Sequence, residues 1–261
     1  MIYMQDIFTS QSFISYHYTD INALIHILGK DYITLRATNC LYLNDSREIK
    51  EGIDSVKRVA NVELQEGAFR NYYVTSFSDS DDELSMWGMY AANGTGCAIG
   101  FDMNEVQKYY GILARCTYGA NKIDQNLSGF MNLYKNGSKV FFPNSPESKA
   151  PVEKLEFDDI AKNNLYLTIC LGSKHESFRN EREVRCVYYN GNQTNVCFRE
   201  KNGIIVPYVN LRMPKSVLKK IIIGPTNNSQ LSLQSSIHFL AINGYDYKNI
   251  EVRVSKIPYR G

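Results

Sequence analysis

Phe13-Ile14-Ser15-Tyr16-His17-Tyr18 runs without a break into Thr19-Asp20-Ile21-Asn22-Ala23-Leu24-Ile25-His26-Ile27-Leu28-Gly29. The first six residues read as a strand. In the second segment Ile21, Leu24, Ile25 and Leu28 recur at helical spacing and share one face. Thr19 or Asp20 can cap that helix and Gly29 can end it. A strand that turns directly into a helix recurs further on, but without strict alternation. Ile33 to Leu35 reads as a short strand and Ser46 to Asn61 as a polar helix. Tyr72 to Phe77 is a strand and Glu83 to Ala92 a helix. Cys97 to Phe101 and Ile112 to Tyr118 follow as strands. A helix is expected from Asp158 to Leu171, with Ala161, Leu165, Thr168 and Ile169 on one face. Strands then come at Val184 to Tyr189, Asn195 to Arg199 and Ile204 to Val209, with Asn190-Gly191 as a hairpin turn between the first two. Lys219 to Ile223 reads as a central strand stopped by Gly224-Pro225. A helix at Leu231 to Asn243 and a strand at Ile250 to Val254 close the chain. This mixture predicts an α+β fold with mixed, mainly antiparallel sheets and flanking helices. A single domain is expected, with an insertion or mobile cover near residues 119–157, where Asn, Lys, Ser and Pro accumulate.

The chain has 261 residues, 44% of them apolar and 21% charged, with a formal net charge of +2. Those proportions suit a globular protein with a substantial core and argue against a surface built mainly to hold nucleic acid. Six cysteines lie mostly inside apolar runs without zinc-type spacing, so they read as reduced, buried hydrophobes. No stretch approaches the roughly eighteen apolar residues of a membrane span, and no charged-then-apolar leader opens the chain. The expectation is a cytoplasmic protein without a membrane partner.

Five short motifs put polar groups beside runs that look buried, where unpaired polar atoms are costly. They are Tyr16-His17-Tyr18-Thr19, Tyr42-Leu43-Asn44-Asp45, Thr75-Ser76-Phe77-Ser78, Met86-Trp87 with Tyr90, and Glu181-Arg182-Glu183-Val184-Arg185. The economical reading is that they meet in one cleft. His17 ends a strand just before a helix N-terminus, a place that favours anions. Asn44-Asp45 with Glu48 reads as a turn and helix cap. Ser76 and Ser78 flank Phe77 on a strand, so both hydroxyls share a side. There is no Gly-x-Ser-x-Gly elbow, which argues against a serine hydrolase. Met86 and Tyr90 share a helical face, and Trp87 and Tyr90 are also neighbours. Glu181 and Glu183 are two apart at the start of a strand, so their carboxylates should point to one side. One pKa should then rise unless cations such as Lys174, Arg179, Arg182 or Arg185 intervene.

The order of these motifs resembles a widespread bacterial family known only as a domain of unknown function. A weaker resemblance is to the ADP-ribosyltransferase superfamily: His17 before an Ile/Leu helix, Ser76-Phe77-Ser78, Tyr90, and Glu181-Arg182-Glu183. That resemblance implies an ADP-ribosyltransferase-like fold and NAD as a nucleotide substrate, with no metal. It implies transfer of ADP-ribose to an unknown acceptor, which could be a macromolecule, or cleavage of NAD. Glu183 would be the catalytic carboxylate, with Glu181 orienting the acceptor. His17, assisted by Tyr18, would bind ribose and Tyr90 would stack on nicotinamide. Ser76 would shape the pocket, while Lys174 and Arg185 hold phosphate or the carboxylates. Two alternatives belong to other classes. One is a nuclease or phosphotransferase in which Asp45, Glu181 and Glu183 ligate Mg²⁺ with Lys174 near the phosphate. The other is a non-catalytic nucleotide sensor in stress or phage defence.

Overall fold

The computed structural model describes residues 13–43, 48–135, 159–226 and 228–258. Its strands are β1 (Ile14–Thr19), β2 (Ile33–Asn39), β3 (Tyr72–Ser78), β4 (Cys97–Asp102), β5 (Ile112–Arg115), β6 (Thr117–Tyr118), β7 (Ser173–Lys174), β8 (Glu183–Tyr189), β9 (Val196–Lys201), β10 (Ile204–Met213), β11 (Leu218–Ile223) and β12 (Glu251–Val254). The α-helices are α1 (Ile21–Ile27), α2 (Glu48–Ala60), α3 (Leu84–Tyr90), α4 (Met103–Val106), α5 (Ala120–Lys135), α6 (Asp159–Leu171) and α7 (Ser229–Ile242). The fold is α+β. Among the described residues ten strands form one sheet in the order β12-β11-β4-β1-β3-β2-β10-β9, with β8 joined to β3 and β5 joined to β8. Within that sheet only β11 and β12 pair in parallel.

The strand-to-helix switch at the start of the chain forms as the sequence dictates. Asp20 caps α1, its Oδ1 accepting from the Ala23 N–H at 2.7 Å. The buried face of that segment is Leu24, Ile27 and Leu28, while Ile25 points outward. These residues pack with β2, β4, β10, β11, α4 and α7 in the main core. A second core lies where α2 and α6 meet, with Val56, Leu127, Tyr166 and Cys170 against Val74 and Val187. Gly52 permits that approach, because a Cβ there would collide with the Cys170 backbone. Leu165, Tyr166 and Cys170 form the buried stripe of α6, so its inner face is rotated from the expected one; Thr168 and Ile169 are only half-buried. A third cluster packs Tyr16 and Tyr18 against Met86 and Trp87.

Several expectations need correction. Asn190-Gly191 is not a hairpin turn: β8 pairs with β3 and β5, and β9 pairs with β10. The hairpin is β9–β10, closed by Asn202-Gly203 between the paired residues Lys201 and Ile204. Both turn residues have positive φ, 52° and 79°, the backbone that a two-residue turn of this hand requires. Replacing Gly203 by alanine should therefore destabilise the protein by about 1 kcal/mol, read as a lower urea midpoint at unchanged slope. The expected strand Ile112 to Tyr118 is divided into β5 and β6. Ala120–Lys135, assigned to the cover, is a helix that buries Ile123 and Leu127. The rest of that segment, 136–157, and the Asn44-Asp45 cap lie outside the described residues.

β3 positions the site. One of its edges pairs with β8 from Tyr72↔Tyr189 to Ser78↔Glu183. Its other edge is divided: β1 takes Ser78 opposite Tyr16, and β2 takes Val74 and Tyr73 opposite Thr38 and Asn39. Between these ladders, residues 75–77 pair with neither strand. Side chains bridge the gap instead. Thr75 Oγ1 donates to the Arg36 carbonyl at 3.2 Å, and the His17 ring reaches the Ser76 carbonyl at 3.0 Å. A slot opens where β1 and β2 part.

Candidate functional site

A cleft of about 650 Å³ runs along this slot, within the usual range for small-molecule sites. It gathers His17, Tyr18, Ser76, Tyr90, Lys174, Glu181 and Glu183 from five separate stretches of chain. The pleat explains the arrangement. Directly paired residues share a face, so Ser76, Ser78, Glu183 and Arg185 lie on one side of the sheet with Tyr16 and Tyr18. His17 and Phe77 lie on the other, their rings edge to face with centroids 5.9 Å apart. His17 belongs to the cleft because its ring turns into the slot.

A carbonyl can only accept, so the bond to Ser76 places the His17 proton on Nδ1 and leaves Nε2 as an acceptor. Burial lowers the His17 pKa, outweighing the opposite effect of that hydrogen bond, which favours the neutral ring at pH 7. Ser78 is wholly buried and donates to the Glu181 carbonyl at 2.7 Å. Tyr18 serves the framework: its hydroxyl donates to the Ser80 carbonyl and accepts from the Glu83 N–H, and its ring stands edge-on to Trp87 at 4.9 Å. Trp87 is fully buried and partners Tyr18, whereas Tyr90, one helical turn on, reaches Glu181.

The two glutamates are not successive same-side residues of one strand. Glu183 opens β8, but Glu181 ends a short 3₁₀ segment, and Arg182 between them is left-handed (φ 42°, ψ 49°). What unites them is Lys174. Its Nζ donates to Glu181 at 2.5 Å and to Glu183 at 2.7 Å, with all three side chains no more than 7% exposed. The three charged groups thus form a buried cluster rather than a surface salt-bridge cluster. Arg185 lies beneath. It donates through Nε and Nη2 to both oxygens of Glu183 at 2.9 and 3.1 Å, and through Nη1 to the Leu171 carbonyl at 2.8 Å. It therefore holds a carboxylate and does not line the cleft, while Arg179 pairs with the exposed Glu176.

The two carboxylates differ in remaining capacity. A carboxylate offers about four acceptor directions. Among the described residues Glu183 accepts three donor contacts, all from cations. Glu181 accepts two, from Lys174 and from the Tyr90 hydroxyl at 2.7 Å. Burial, then the charge of Glu181, pushes the Tyr90 hydroxyl above its ordinary pKa, so it stays a donor. For Glu183 burial acts upward, but Arg185 and Lys174 outweigh it and hold the carboxyl down at about 2, from an ordinary 4.5. A lowered folded-state pKa contributes stability that is complete above the unfolded value and lost as pH falls through the folded one. Acid unfolding should therefore draw on Glu183 between about pH 4.5 and pH 2. Fluorescence of the single tryptophan, buried next to the cleft, would follow it; a protein equally stable at both ends of that window would contradict this.

Short-range reading missed Tyr118, whose hydroxyl accepts from the Glu183 N–H at 2.7 Å across 65 residues of sequence. It also missed the far half of the cleft, lined by Arg36, Thr38, Arg199, Lys201 and Asn210. Among the described residues no group of three or more His, Cys, Asp or Glu side chains is placed to hold a metal ion, and Asp45 lies outside them. No helix of the described residues is long and apolar enough to cross a membrane.

Residues 86–186 match the family model described as "Protein of unknown function (DUF2971)". The family of unknown function expected from the motif order is thus matched over this region. The DUF2971 match begins at Met86 and ends within β8, so it takes in Tyr90, Lys174 and the Glu181–Arg185 run, with β1, β2 and β3 outside it. No curated protein and no solved structure matches the chain.

Proposed function

We propose that the cleft binds NAD and that the protein is an ADP-ribosyltransferase-like enzyme, transferring ADP-ribose to an acceptor or cleaving NAD with water. One observation carries this reading: a His17 held neutral, with a free acceptor nitrogen, lines the same cleft as a buried glutamate pair. In the reaction the ribose C1′–nicotinamide bond breaks and its electron pair leaves with nicotinamide. The ribose becomes oxocarbenium-like, and a nucleophile adds to C1′. A carboxylate near that carbon stabilises the growing positive charge.

The hydrogen-bond capacity reverses the roles expected of the two glutamates. Glu181, with two acceptor directions left, is the carboxylate offered to the ribose. Glu183, enclosed by Arg185 and Lys174, positions Lys174 and through it Glu181. His17 Nε2 accepts from a ribose hydroxyl, Ser76 shapes the wall, and the Tyr90 ring faces nicotinamide. Binding is tested by calorimetric titration of NAD into wild type and His17→Ala. Saturable binding, weakened at least tenfold in the variant, is expected; no heat at millimolar NAD would remove NAD from the cleft.

The enclosure of Glu183 by two cations favours a second reading, a non-catalytic nucleotide sensor, in which NAD binds without turnover and Glu181→Gln changes nothing. The metal-dependent nuclease is disfavoured by the same contacts, because a divalent cation at these carboxylates would meet Lys174 and Arg185 at close range.

A further inference from the structure

The far half of the cleft is electropositive in a way that the chemistry at the glutamates does not use. Arg36 on β2 and Arg199 on β9 both lie over the ring of Tyr208 on β10, their guanidinium carbons 5.2 and 6.0 Å from its centroid. Among the described residues neither forms an ion pair with a carboxylate. Arg199 Nη2 donates to Thr38 Oγ1 at 3.1 Å, but its Nε is buried without a hydrogen-bond partner. An unsatisfied buried donor is costly, and an arginine's fork is shaped for two parallel bonds to an oxyanion. Burial, then the nearby Arg36, lowers the Arg199 pKa, so the two cations repel one another across the ring.

The register places this group relative to the glutamates. Asn210 stands opposite Arg36 and Tyr208 opposite Thr38, so all four share a face of the β2–β10 ladder. With strands about 5 Å apart, β2, β10 and β9 lie roughly 5, 10 and 15 Å across the sheet from β3. A ligand with its sugar at Glu181 and His17 would extend about that far before meeting the arginines.

We propose that Arg36 and Arg199 form a binding site for the phosphate groups of a nucleotide, with Thr38 and Asn210 as neutral polar neighbours. An oxyanion bridging the two guanidinium groups relieves their repulsion and leaves Tyr208 as the platform beneath them. The site lies in the cleft of the proposed function but does not depend on NAD being the nucleotide.

The test is calorimetric titration of the full chain with inorganic pyrophosphate at low ionic strength, in wild type, Arg36→Gln, Arg199→Gln, Arg199→Lys and His17→Ala. Saturable binding to wild type is expected, weakened at least tenfold by either glutamine variant and unchanged by His17→Ala. Arg199→Lys, which keeps the charge and loses the fork, should fall between. Circular dichroism reports whether the Arg199 variants fold; if they do not, the exposed Arg36→Gln decides alone. No pyrophosphate binding, or binding equal in wild type and Arg36→Gln, overturns the site even if NAD binds. Pyrophosphate binding lost in the arginine variants upholds the site even if NAD is silent, in which case the NAD reading falls and this one stands.

Discussion

Lys174→Met is expected to cost the protein about 3–5 kcal/mol at neutral pH, the cost of leaving buried charges without their partner. The lysine is 3% exposed, and its ammonium is the shared donor to Glu181 and Glu183. Methionine preserves most of the side chain's volume, so the loss is electrostatic rather than a cavity. Without the ammonium the two carboxylates face each other in a poorly solvated place, with Arg185 as the charge among the described residues that opposes them, and one must take up a proton. Two results follow. The variant should lose less stability relative to wild type at pH 5 than at pH 7, measured by urea unfolding. Adding Glu181→Gln to Lys174→Met should recover part of the loss, because it removes one of the two repelling charges. A loss under about 1 kcal/mol would mean that the cluster is solvated.

Glu181→Gln is expected to lower the rate of NAD cleavage, or of ADP-ribose transfer, by about 10²–10³ with little change in NAD binding. The amide is nearly isosteric. Its oxygen can still accept from Lys174 and its nitrogen can meet the Tyr90 oxygen, so the fold should tolerate it. What is lost is the negative charge beside the ribose as positive charge develops. Glu183→Gln should instead reduce stability, because it leaves Arg185 and Lys174 without their common anion. Nicotinamide release, read beside thermal melting for both variants, separates the two roles. Equal turnover in wild type and Glu181→Gln would leave the cleft as a binding site only.

Much of the fold follows from residues that pattern alone can interpret. Asp20 caps α1 because a short acceptor before an apolar 3.6-residue period has few other uses. Residues 218–223 form an interior strand because Ile221, Ile222 and Ile223, three successive apolar residues, have to be buried on both faces. The meeting of His17, Ser76, Tyr90 and the glutamates in one cleft was legible for the same reason: polar groups beside buried runs need partners. What failed was local geometry set by contacts far away. Glu181 and Glu183 look like alternate residues of a strand, but the Ser78 hydroxyl holds the Glu181 carbonyl and β8 begins only after a left-handed Arg182. Asn190-Gly191 and Asn202-Gly203 are the same dipeptide; only strand pairing decides that the second closes a hairpin. Arg36 and Arg199 gave no short-range signal, since 163 positions separate residues that the β2–β10–β9 ladder makes neighbours.

The left-handed Arg182 has a consequence for how the site is assembled. Lys174 closes on Glu181 and Glu183 over seven and nine residues, loops short enough that little chain entropy opposes them. Tyr90 reaches Glu181 over 91 residues, and Ser78 does so over 103. The ion cluster is thus within reach of a local hairpin-sized segment, whereas its cleft wall requires most of the chain to have docked. Contacts of that span are slow to form. Charge is stored in a small, quickly closed loop, and access to ligand is gated by the completeness of the whole sheet.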